Sequence, residues 1–77
     1  MDYYVITESG QRSLQQLRKS NKFRQFEMLS YLNLAGRANI AQIAYALHIE
    51  EIDAQAELKL FIANRWVRLD KSKTLPF

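Results

Sequence analysis

Apolar positions recur along this chain with two different periods, and the change of period divides it into elements. Tyr3 to Ile6 is a short aromatic and β-branched run that predicts a strand. Thr7 follows with a hydroxyl suited to capping a helix, and Glu8 to about Lys19 predicts that helix, with Leu14 and Leu17 as its apolar stripe. Gly10 lies one turn earlier on the same side, where the missing side chain admits close approach of another element. Arg18 to Lys22 is a polar break. A second helix is predicted from about Lys22 to Ala35, with Phe23, Phe26, Leu29 and Leu32 at helical spacing and Gly36 positioned to end it. Ala41 to Leu47 predicts a short third helix, capped by Asn39 and buried through Ile40, Ile43, Ala44 and Leu47.

After a tight turn at His48 and Ile49, a longer helix is predicted from about Glu51 to Asn64, with Ala54, Leu58, Phe61 and Ile62 facing inward. Trp66 to Leu69 reads as a strand, Asp70 to Lys73 as a turn, and Thr74 to Phe77 as a return strand. The expected fold class is therefore mainly α with a small β-hairpin or sheet. It forms a single domain over 1–77, in which 1–20 is an N-terminal strand and helix and 22–77 is the core and hairpin.

Composition narrows this picture. The 77 residues suffice for one modest core; 48% are apolar and 25% charged, an ordinary globular balance. With no cysteine, disulfides and thiolate metal sites are excluded, and a domain this small relies on tight packing or oligomerisation. No apolar run is long enough to cross a membrane, and the first residues lack the pattern of a signal peptide, so the expected compartment is the cytoplasm.

The order of helix, short helix, tight turn, long helix and hairpin resembles the winged helix-turn-helix family, and Gln42 to Leu69 carry the resemblance. Gln42-Ile43-Ala44-Tyr45-Ala46-Leu47-His48-Ile49 is similar to that family's second helix and turn. Ala54, Leu58 and Phe61 match the inward positions of its recognition helix, and Asn64-Arg65-Trp66-Val67 the exit into the wing. Tyr4-Val5-Ile6-Thr7-Glu8-Ser9-Gly10-Gln11 is similar to a strand-to-helix motif that follows the wing in many of those proteins. Here it precedes the core, so its strand is placed to join the wing sheet from the other end of the chain. His48 and Arg65 stand where the family often has Gly, so His48 departs from the usual turn residue and Arg65 or Asn64 must take a strained backbone.

The resemblance implies a small regulator that binds duplex DNA as a homodimer, paired through its N-terminal strand and helix. The implied DNA contacts are Gln55 and Lys59 on the fourth helix, Arg68, Lys71 and Lys73 on the wing, and Arg37. The net charge of +3 and pI of about 9.5 suit that reading. The distribution of charge opposes it. Glu50, Glu51, Asp53 and Glu57 put four carboxylates and no base into the start of the expected reading helix. The rival expectation is a protein-interaction module in which Glu50, Glu51, Ile52, Asp53, Ala56 and Glu57 dock a basic partner. Arg18, Lys19, Lys22 and Arg24 form a further basic cluster, either a solvated face or a contact surface.

Other chemistry finds little support. His48 is the only histidine and has no companion ligand, so neither a metal nor a cofactor is expected. Glu50 and Glu51 point in different directions on a helix, and Gly10 and Gly36 make no phosphate loop, so an enzyme is not expected. Tyr3, Tyr4, Tyr31, Tyr45 and Trp66 offer base-stacking surfaces, although such residues more often serve a core or an interface.

Overall fold

The computed structural model describes residues 2–71. It contains β1 (Asp2–Ile6), α1 (Glu8–Lys19), α2 (Phe23–Ala35), α3 (Ile40–Leu47), α4 (Glu51–Ala63) and β2 (Val67–Lys71). The molecule is thus mainly helical with a small antiparallel sheet. The return strand expected at Thr74 to Phe77, and Lys73 with it, lie outside the described residues. Within them, the partner of β2 is β1, in the register Tyr3 to Asp70, Val5 to Arg68 and Ile6 to Val67. On its other edge β1 meets Ala38: Tyr4 N–H donates to the Ala38 carbonyl at 2.8 Å, and Ala38 N–H donates back at 3.1 Å. The first strand of the chain is therefore the central one of this assembly.

Local chemistry explains most of the boundaries. Thr7 caps α1, its hydroxyl accepting from Gly10 N–H at 3.0 Å. The same hydroxyl donates to the Arg65 carbonyl at 2.6 Å, and Thr7 N–H donates to the Trp66 carbonyl at 2.8 Å. This hinge between β1 and α1 is thereby tied to the turn that leaves α4. Gly10 is buried against that turn, and a Cβ there would overlap the Trp66 carbonyl oxygen and lie 2.7 Å from Ile6 Cγ1. Asn39 and Gln42 form a reciprocal capping box at the start of α3, at 2.8 and 2.9 Å. His48 ends α3 in the left-handed conformation at φ 57°, and Arg65 takes φ 62° on leaving α4.

The core is built from Leu17, Met28, Leu29, Leu32, Ala38, Ile43, Ala44, Ala54, Leu58, Phe61 and Val67, with Tyr4, Ile6 and Trp66 packed on it. Trp66 lies with its ring centroid 5.8 Å from that of Phe61, in a tilted contact. Two expected core residues fall outside. Phe23 is 66% exposed, because a three-residue spacing drifts by about 60° at each step and puts Phe23 opposite Leu32. Met28 takes the buried position instead. Ile62 is 40% exposed, being turned about 100° from the fully buried Phe61.

Two stability measurements follow from this geometry. Gly10→Ala forces a methyl group onto backbone and is expected to cost about 3 kcal/mol or more in urea unfolding. Gly36→Ala meets no neighbouring atom and is strained only by its backbone at φ 84° and ψ −48°, an expected cost of about 1–3 kcal/mol. A loss below about 1 kcal/mol for Gly10→Ala would contradict the close approach at Gly10. Conversely, His48→Gly and Arg65→Gly relieve left-handed backbone and should each raise stability by up to about 1 kcal/mol.

Candidate binding face

α3 and α4, with the turn between them, carry the exposed Tyr45, Ile52 and Leu60. Ala44 and Ala54 are buried small residues, which lets the two helices approach. Ile49 N–H donates to the Ala44 carbonyl at 3.0 Å, and the left-handed His48 turns the chain so that α4 starts at once. Glu51 and Asp53 occupy the first turn of α4, where carboxylates complement the helix dipole.

α4 is apolar on both sides. Its inner face buries Ala54, Leu58 and Phe61. Its outer face carries Ile52, 71% exposed, and Leu60, 51% exposed, with Ala56, Lys59 and Ala63 also exposed. An exposed apolar stripe rimmed by polar residues is a surface suited to contact with other protein. Glu57 departs from the expected acidic surface: it is half-buried beside the core, and its Oε2 is out of water without a hydrogen-bond partner among the described residues. The acidic start of the face is therefore Glu50, Glu51 and Asp53, all exposed. Beside it, a cleft of about 490 Å³ is lined by Asp2, Tyr4, Ile40, Glu51, Ile52 and Gln55 among others.

The residues expected to touch DNA are not gathered in one place by the fold. Gln55 and Lys59 are exposed on α4. Because Tyr4 and Ile6 pack on the core, Tyr3 and Val5 belong to the opposite sheet face, where their cross-strand partners are Asp70 and Arg68. Arg37 joins them: its guanidinium lies 4.6 Å from the Tyr3 ring centroid and 3.8 Å from Asp70. Lys71 is the last residue of β2. Arg68 and Arg37 thus share the outer sheet face, with Arg37 already held by an aromatic ring and a carboxylate.

Elsewhere, Arg18, Lys19, Lys22 and Arg24 are exposed around the α1–α2 junction. Lys22 and Trp66 help line a cleft of about 220 Å³ there, with Ser13, Gln16, Leu17 and Ser20. The N-terminal elements, expected to pair two copies, are engaged within the chain. β1 is hydrogen-bonded into the sheet, and α1 buries Leu17 against the core. Its outward residues Gln11, Arg12, Gln15, Gln16, Arg18 and Lys19 are all polar. Tyr45 is 84% exposed on α3. Of the apolar outer stripe of α4, only Ile52 and Ala56 were legible in the sequence. Leu60 and Ala63 were missed because the inward stripe accounted for the helix by itself.

Among the described residues, no group of three or more His, Asp or Glu side chains is arranged to hold a metal, and no helix is long and apolar enough to cross a membrane. None of the family models, curated proteins or solved structures compared with the chain matches it.

Proposed function

We propose that this chain is a winged-helix module that works by protein contact through the outward face of α4, rather than by reading DNA with it. The winged-helix reading is supported by the α2–α3–α4 core, by the tight α3–α4 turn, and by β2 following α4. In this reading β1 replaces the return strand of the wing, pairing antiparallel with β2 from the other end of the chain. That agrees with a strand-to-helix motif that precedes the core here and follows the wing in the resembled family.

One observation carries the functional part. The outward face of α4 presents exposed Ile52 and Leu60, and its first turn presents Glu51 and Asp53. A helix inserted in a major groove stands between two rows of phosphates, and its affinity comes mostly from cations. Carboxylates at that point oppose the approach, and exposed Ile and Leu gain nothing from phosphate. Against a protein surface the same residues supply an apolar centre with a charged rim. The N-terminus of α3 also gives up amides to its own capping box, since Asn39 takes the Gln42 N–H.

A second reading, contact with duplex DNA through the sheet, is favoured by the register that puts Arg68 on the same face as Arg37, with Lys71 ending the strand. A gel shift on random duplex at low salt separates the two. The protein-contact reading expects binding weaker than the about 10⁻⁴ to 10⁻⁶ M of ordinary non-specific DNA binders. Tight, steeply salt-dependent retardation abolished by Gln55→Ala with Lys59→Ala would refute it. Retardation abolished instead by Arg68→Glu with Lys71→Glu establishes the sheet as the DNA contact.

A further inference from the structure

We infer that the partner of the α4 face is a second copy of this chain, docked antiparallel about a two-fold axis beside Ala56. The inference rests on the reading of α4 as a docking face and adds the identity of the occupant. The face is complementary to itself. Ile52 and Leu60 stand four residues to either side of Ala56, so antiparallel apposition brings Ile52 of each copy level with Leu60 of the other. Ala56 at the crossing lets the two helix axes approach to about 8 Å, and Ala63 extends the contact toward the end of the helix. The stripe from Ile52 to Ala63 is about 16 Å long at 1.5 Å per residue.

Charge selects the antiparallel orientation. Glu51, Gln55 and Lys59 follow one another at four-residue spacing along one flank of the stripe. A two-fold axis keeps like flanks together, so each Lys59 comes within one turn of the other copy's Glu51, twice by symmetry. More broadly, the Glu50, Glu51 and Asp53 start of each helix lies at the level of the Lys59 to Arg65 end of the other, and the helix dipoles oppose. Parallel apposition would set carboxylate against carboxylate. The ion pairs among the described residues, Arg12 with Glu8 and Arg37 with Asp70, leave Glu51 and Lys59 uncommitted. A cysteine-free domain of this size also gains the added burial it otherwise lacks.

Sedimentation equilibrium of the full chain over a wide concentration range tests this. A monomer–dimer equilibrium is expected. Ile52→Asp should weaken it about tenfold or more with an unchanged circular dichroism spectrum, since the position is exposed and an acid in the first turn suits the helix. Lys59→Glu should weaken it too, and Glu51→Lys added to Lys59→Glu should restore it. A chain that stays monomeric throughout, a dimer indifferent to Ile52→Asp, or a charge swap that restores nothing overturns the inference. The gel shift distinguishes the two levels of failure. A monomer that leaves duplex unshifted removes only the second copy, whereas one that binds duplex through Gln55 and Lys59 removes the docking reading as well.

Discussion

The rest of the structure depends on the junction where Thr7 and Gly10 meet the turn at Arg65 and Trp66. Thr7 uses its hydroxyl twice, accepting from Gly10 N–H and donating to the Arg65 carbonyl, and its own amide reaches the Trp66 carbonyl. The absence of a Gly10 side chain lets α1 lie against that carbonyl. These contacts fix where α1 starts and where β1 ends. They also fix the register in which β2 leaves α4, because Ile6 and Val67 are paired immediately beside them. The strained φ of Arg65 sits inside this junction, held in place by bonds on either side.

What the sequence made legible was chiefly local. Thr7 and Asn39 act as caps, Gly36 and His48 terminate helices, and Arg65 adopts the uncomfortable backbone expected near that point. Each of these depends on a few neighbouring residues whose chemistry is written next to one another. The errors arose where faces had to be assigned. Phe23 fits a three-residue spacing but not the true helical period, and Ile62 stands at the margin of the buried stripe. Glu57 counts as surface by residue type, yet its position on the helix carries it beside the core.

The candidate face was only half readable for a related reason. Carboxylates at Glu50, Glu51 and Asp53 announce themselves in any composition count, and so does their conflict with phosphate. The outward apolar stripe does not, because α4 also has a complete inward one. Apolar periodicity identifies a buried face only when the opposite face is polar. Where both are apolar, the pattern stops specifying orientation, and only the packing of Ala54, Leu58 and Phe61 on the core shows which residues are left outside. A helix built this way is constrained from two directions: substitutions on one side disturb the domain, and those on the other alter what it meets.

The pairing of β1 with β2 has a consequence for how the molecule comes into being. Thr7 and Arg65 are 58 residues apart in the chain. The turns of α2, α3 and α4 need only neighbours, but the sheet cannot close until its last strand has been synthesised. A nascent chain can bond one edge of this tyrosine-rich strand to Ala38, but the edge that β2 will cover stays open while the helices form behind it. Closing so long a loop is slow relative to helix formation, and an open strand edge is a template for pairing with other chains. The interval between the two events is the period in which this small domain is most vulnerable to aggregation.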